Sequence, residues 1–214
     1  MEKYILSNPL FNNISLQKYK QLLNLIPNRV LSLQKNDFVV KTGDYLKEIG
    51  IVVKGKLVVI SESVEGIDSI VNEIEPGSSF GEAMVATSTT ESPFAIYCLQ
   101  DSQIFFLDYK HLLENAQDDI YNQLICNLMN ILAKKVMNLN YRFIIASQRK
   151  LKDKLLYYLY MQKNIHKSNS FKIDLNREQL AAYLFVNRSA LSYVLMQLKK
   201  EGLLDYHKNY FTLK

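Results

Sequence analysis

The chain reads as an α+β protein: an antiparallel, jelly-roll-like β-roll, then one long helix, then a small helical unit closed by a two-stranded wing. Three observations predict this. Six of the seven glycines fall between Gly43 and Gly81, among short runs rich in β-branched and aromatic residues. No Gly or Pro occurs from Phe94 to Glu201, and within that span apolar residues recur at three- and four-residue steps. The charge is uneven: of a total of +5, residues 1–146 carry −3 and residues 147–214 carry +8.

Near the N-terminus, Asn13 or Ser15 can cap a first helix whose apolar side is Leu16, Tyr19, Leu22, Leu23 and Ile26, with Pro27 ending it. The period then shortens. Strands are expected at Phe38–Lys41, Ile49–Lys54, Leu57–Ile60, Ile67–Ile74, Phe94–Leu99 and Ile104–Leu107, with turn residues between them. Such regular spacing predicts an antiparallel roll rather than a parallel sheet.

A long helix is expected over residues 117–145. Tyr121, Leu124, Ile125, Leu128, Ile131, Leu132, Val136 and Leu139 fall at helical spacing, with polar residues in most gaps. At about 1.5 Å per residue it spans roughly 43 Å. One small domain cannot easily cover a stripe of that length, so Tyr121, Leu124, Leu128, Ile131, Leu132 and Leu139 are expected to meet a second copy of the chain. The alternative is a core helix within one domain.

The C-terminal part begins with a helix at Gln148–Gln162 and a short strand at Phe171–Ile173. Asn176 and Gln179 form a capping-box pair at the start of the next helix. A tight turn through Leu184, Phe185 and Val186 leads to Asn187, an N-cap, and a helix from Arg188 to Lys200 that Gly202 ends. Leu203–Tyr206 and Tyr210–Leu213, joined by His207-Lys208-Asn209, make the wing.

Composition closes several function classes. Residues 1–11 carry no leader-like pattern and no run approaches the ~20 apolar residues of a membrane span, so a cytoplasmic protein with no membrane partner is expected. Cys98 and Cys126 are too few and too far apart for a disulfide framework, and His111, His166 and His207 show no ligand spacing, so no metal site is predicted. No nucleophile elbow or phosphate-binding loop motif is present, and the chain is not expected to be an enzyme. The basic C-terminal part, by contrast, invites a polyanion.

The ordered series Gly43-Asp44, Val53-Lys54-Gly55-Lys56-Leu57, Glu65-Gly66 and Glu75-Pro76-Gly77-Ser78-Ser79-Phe80-Gly81-Glu82 resembles the cyclic-nucleotide-binding-type roll of the Crp/Fnr family of bacterial regulators. The run from Arg177 to Tyr193 resembles that family's winged helix-turn-helix, so the resemblance covers nearly the whole chain. It implies a homodimeric transcription regulator that binds a palindromic operator in double-stranded DNA, with RNA polymerase as a further partner. The expected domains are a sensor roll at 1–116, a dimerisation helix and hinge at 117–146, and a DNA-binding domain at 147–214.

The family's effector pocket maps onto Phe80, Gly81, Glu82, Ala83, Ser92 and Pro93, where the Phe-Gly-Glu turn opens a short helix whose amides face an anion. Glu82 corresponds to the carboxylate that accepts from a ribose hydroxyl. The sequence departs from the pattern where cyclic-nucleotide binders carry an Arg for the phosphate, because Thr90–Ala95 contains none. No Lys or Arg occurs between Lys56 and Lys110, against nine acidic residues. Lys135 and Val136 also stand where such binders place polar groups on the long helix. Cyclic AMP is therefore not expected as the effector. Two cysteines cannot supply an iron–sulfur cluster's four, no cofactor is predicted, and composition leaves haem open.

In the DNA-binding domain the apolar face of the second helix packs inward, leaving Ser189 and Tyr193 outward with Arg188 and Ser192 flanking. The contacts expected to DNA are Arg177, Asn187, Arg188, Ser189, Ser192, Tyr193, His207 and Lys208, with Arg188 pairing to guanine and Arg177 and Lys208 to phosphate. Phe185 stands where many such turns have Gly and would be strained if left-handed. A rival reading keeps the roll as a small-molecule module acting on a protein partner, with a vestigial helix-turn-helix.

Overall fold

Strands β1 (Asn28–Leu33), β2 (Phe38–Val40), β3 (Glu48–Glu62), β4 (Asp68–Ile74), β5 (Ser79–Phe80) and β6 (Ala95–Asp108) form one antiparallel sheet. Its order is β1-β6-β3-β4, with β2 also on β6 and β5 also on β3. The computed structural model describes residues 1–62, 68–87 and 91–214. The Glu65-Gly66 turn, Ile67 at the head of an expected strand, and Thr90 lie outside the described residues. The chain divides into two compact units, Met1–Lys134 and Lys135–Lys214.

Two pairs of expected strands are each one long strand. Sequence reading separates Ile49–Lys54 from Leu57–Ile60 at Gly55, but β3 passes through with shifts of register against β6 between Val52 and Leu57. Gly55 has φ +90°, and a Cβ there would lie 2.2 Å from Ser102 Oγ and 2.6 Å from the Asp101 carbonyl oxygen. The glycine therefore lets the strand bend beside its partner instead of ending it. Both faces of β3 are covered. Ile49, Ile51 and Val53 face a core shared with helices, whereas Val52, Leu57 and Val59 line the interior of the roll with Ile104 and Phe106.

Helices α1 (Glu2–Leu6) and α2 (Leu16–Leu25) pack Ile5, Tyr19 and Leu22 into the first of these cores. Ser15 caps α2 by accepting from the Lys18 amide. α1 and a following 3-10 turn at Pro9–Phe11 escape sequence reading because both are too short for a period. Side chains hold them in place. Asn8 donates to the Gly77 carbonyl at 2.9 Å, and Asn127 of the long helix donates to the carbonyls of Leu10 and Asn12, both at 2.8 Å. Asn127, read from sequence as a polar gap-filler, is 6% exposed.

After α3 (Glu82–Thr87) and α4 (Tyr109–Glu114) comes α5 (Asp119–Ser147), a helix of 29 residues with two apolar stripes. Tyr121, Leu124, Leu128 and Ile131 are buried in the first unit's own core, so they are not available to a second copy. This corrects their expected role in a dimer contact: an arc that sequence reads as one stripe is half covered by the chain's own roll. The other stripe runs through Ile125, Met129, Leu132, Val136, Leu139 and Phe143, at alternating steps of four and three. Met129, Val136, Leu139 and Phe143 on it are exposed, Phe143 by 75%. Of the other two residues expected in a dimer contact, Leu132 is partly buried and Leu139 exposed.

In the second unit, α6 (Leu151–His166), β7 (Ser170–Lys172), α7 (Arg177–Tyr183), α8 (Arg188–Lys200), β8 (Leu204–His207) and β9 (Tyr210–Leu213) follow in the expected order. The three strands pair β7-β9-β8. Their shared core includes Leu155, Leu159, Leu180, Ala181, Leu191, Leu195, Leu198 and Phe211. Among the described residues no helix is long and apolar enough to cross a membrane.

Candidate nucleic-acid interface and effector pocket

The candidate interface is built from α7, its turn and α8. Asn176 caps α7 in a full capping box: its side chain accepts from the Gln179 amide, and the Gln179 side chain accepts from the Asn176 amide. Leu184 is wholly buried and Phe185 turns the chain at φ +56°. Asn187 occupies the N-cap of α8 with extended backbone, but its side chain makes no capping bond. Leu191, Leu195 and Leu198 seal one face of α8 into the core. The opposite face therefore belongs to solvent, and Arg188, Ser189, Ser192 and Tyr193 are all exposed on it.

Each of these side chains has a defined neighbour or none. The Arg188 Nη1 donates to Glu178 Oε1 at 2.8 Å, an exposed ion pair between α8 and α7. Ser192 Oγ donates to the Arg188 carbonyl, and Gln197 Nε2 donates to the Tyr193 hydroxyl. His207 and Lys208 are exposed at the wing, where Lys208 sits at φ +52°.

Arg177 differs from the rest. Its guanidinium lies against the rings of Tyr206 and Phe211, 5.3 and 5.8 Å from their centroids, and its Nη2 donates to the Lys208 carbonyl at 3.0 Å. Burial, joined by the charge of Arg188, holds it below the usual arginine range. Its Nη1 is buried with no partner among the described residues. Arg177 thus ties the wing turn to the start of α7.

The left-handed Phe185 has an explanation that its own φ does not supply. The Arg142 guanidinium of α5 lies 5.3 Å from the Phe185 ring and 5.9 Å from the Tyr183 ring. A non-glycine residue in this region costs about 1–2 kcal/mol. A ring stacked with a cation recovers part of that, about 0.5–1 kcal/mol at an exposed site.

In the roll, the Phe80-Gly81-Glu82 turn leads from β5 into α3. Gly81 has φ +86°, and a Cβ on it would lie 2.9 Å from Leu46 Cδ2. Phe80 points into the roll, edge-on to Phe106 and flat on Gly50, where a side chain would overlap its ring. Glu82 is 1% exposed and accepts from the Ser79 hydroxyl. Ser92 is also buried: its amide donates to the Asp44 carbonyl, its carbonyl accepts from the Gly43 amide, and its hydroxyl donates to the Phe94 carbonyl. Ala83 and Pro93 are exposed.

β1 brings a cation against the roll. Arg29 lies 4.4 Å over the Phe106 ring and pairs with Glu48 at 2.6 Å, beside a cavity of about 300 Å3 whose walls include Leu31, Val40 and Leu46. No local sequence signal marks it, because only the β1–β6 pairing brings Arg29 opposite Phe106. Among the described residues no group of three or more His, Cys, Asp or Glu could hold a metal ion.

Two family models match the chain: the cyclic nucleotide-binding domain over residues 30–119 and the Crp-like helix-turn-helix domain over residues 153–214. Among solved structures it is similar to the catabolite activator protein of Thermus thermophilus at 19% identity, with a TM-score of 0.58 over 97% of this chain and 94% of that one. It is similar to CprK complexed with OCPA at 15% identity, with a TM-score of 0.64 over 92% and 91%. It is also similar to DNR from Pseudomonas aeruginosa at 18% identity, with a TM-score of 0.52 over 100% and 93%. No curated protein sequence matches the chain.

Proposed function

The chain belongs to the Crp/Fnr family of transcription regulators, whose members are regulators and not enzymes, and on that premise we propose that it binds duplex DNA as a homodimer and reads a palindromic operator. The observation that carries the reading is α8: apolar on its buried face, it exposes Arg188, Ser189, Ser192 and Tyr193 together in a segment, residues 147–214, with net charge +8. A helix of this kind fits the major groove, with Arg188 suited to guanine N7 and O6. Asn187, His207 and Lys208 border it and serve the sugar-phosphate backbone, as Lys208 does best from the tip of the wing. Arg177 contributes mainly by fixing that wing.

Dimerisation uses the outward stripe of α5, whose four-and-three spacing is that of a helical seam. The roll at 1–116 is the sensor, 117–146 the dimerisation helix and hinge, and 147–214 the reading head. Its effector is not a cyclic nucleotide, because Ser92 and Pro93 stand where the phosphate-binding pair would be, and the Ser92 hydroxyl is used by the Phe94 carbonyl. The protein works in the cytoplasm, on the bacterial chromosome, with RNA polymerase as the partner through which it acts.

Selection from a randomised duplex pool, followed by affinity measurements at rising salt, tests this reading. The expected result is one enriched palindrome whose affinity falls steeply with salt, since each neutralised phosphate releases a counterion. Recovery of no preferred sequence would reject it.

A further inference from the structure

We propose that Glu178 is a specificity-determining residue that acts through Arg188, an inference that rests on α8 being the DNA-reading helix. Arg188 opens α8 and Glu178 is the second residue of α7, and the turn between the helices brings Nη1 to 2.8 Å from Oε1. Both side chains are on the outward surface, 63% and 72% exposed, so the pair sits where DNA would arrive.

A carboxylate there is at first sight misplaced. Beside a polyanion it repels, and residues 147–214 hold only five acidic residues against thirteen basic ones. Glu201 and Asp205 are engaged with Lys152 and Lys199, on other parts of the domain. Glu178, by contrast, spends its charge on a candidate base reader. General affinity for DNA would be better served by a neutral residue, so a carboxylate next to Arg188 points to selectivity.

The geometry gives the means. An unpaired arginine can swing to the nearest phosphate and stabilise every sequence alike. With Nη1 held by Glu178, the guanidinium is restrained over the start of α8 while its Nε–Nη2 edge carries no bond among the described residues. That edge is the two-donor fork guanine requires. Glu178 also makes the arginine a poorer general phosphate partner, because the pair is already locally neutral. Both effects raise the ratio of specific to non-specific binding.

The test uses the full chain and the duplex that the wild type selects from a randomised pool, with each base pair replaced in turn. Glu178→Ala should lower discrimination about fivefold, the scale of an exposed pair, at the one base pair per half-site that Arg188→Ala also affects. Glu178→Gln, which keeps an acceptor of the same reach, should retain part of it. Both variants should bind unrelated duplex more tightly than wild type, and neither should shift the melting temperature, since the residue is exposed. In an Arg188→Ala background, Glu178→Ala should change preference at no position. An unaltered profile for Glu178→Ala would overturn the proposal, as would a change at another base pair that persists without Arg188, which would make Glu178 a reader itself. If wild type preferred no duplex, the reading beneath the proposal would fall with it, whereas a selective wild type with an indifferent Glu178→Ala would sink the proposal alone.

Discussion

Arg188 and Arg177 are both arginines at the first position of a helix in the basic C-terminal segment, and their surroundings assign them different work. Arg188 is exposed with half its fork free; Arg177 is folded against two rings and a carbonyl. Arg188→Ala should cost about 1–3 kcal/mol on the selected duplex and relax one base pair per half-site. Lys208→Ala should weaken all duplexes alike and flatten the salt slope by about one unit. Arg177→Ala should instead speed amide exchange in β8 and β9, which a mere phosphate contact would leave unchanged. Sequence alone places both arginines at helix starts but cannot tell them apart, because the rings that capture Arg177 lie 29 and 34 positions away. Tyr158 adds a pH dependence: burial, with Tyr183 and Asp174 nearby, raises its phenol well above its usual 10.0. Below that value the phenol is neutral in both states. As pH rises past it only the unfolded chain ionises, so this contribution to stability is lost progressively. Alkaline titration should therefore destabilise the wild type more steeply than Tyr158→Phe, as read by the melting temperature of each.

Among the elements, α5 shows how far periodicity carries an argument and where it stops. Its length and its start and end are legible to within two residues. Its apolar residues, however, fill too wide an arc for sequence to say which half faces the chain's own roll. The burial of Tyr121, Leu124, Leu128 and Ile131 answers that. Leu128→Ala should lower the stability of the first unit by about 2–5 kcal/mol, visible in denaturant titration. Leu139→Glu combined with Phe143→Glu should leave the fold intact and give monomers in sedimentation, because both side chains are exposed in a single chain. The turn between α7 and α8 was legible as a place of strain but not in its remedy. Phe185→Gly should relieve the left-handed backbone while releasing Arg142, so the two effects offset and stability should change by less than about 1 kcal/mol. Arg142→Ala with Phe185 retained keeps the strain without the contact and should be the more destabilising of the two.

At the scale of the whole molecule, the division of charge and the order of motifs made the architecture readable: glycine-punctuated strands, a Gly- and Pro-free helical span, then a basic winged unit. What remained hidden is set by long-range pairing. The short N-terminal segments are anchored through Asn8 and Asn127, and the β1–β6 pairing brings Arg29 over the Phe106 ring. Ligand linkage acts on the whole folded state. Cyclic AMP and cyclic GMP should leave both melting temperature and DNA affinity unchanged, checked by thermal melts and binding isotherms at millimolar nucleotide. The central claim is that two linked copies read two halves of one site. The most direct test compares the selected palindrome with the same duplex after one half-site is scrambled, measuring affinity and stoichiometry together. Two chains should bind each intact duplex, with a large loss of affinity when one half is scrambled. One chain per duplex, bound equally well with either half intact, would contradict it.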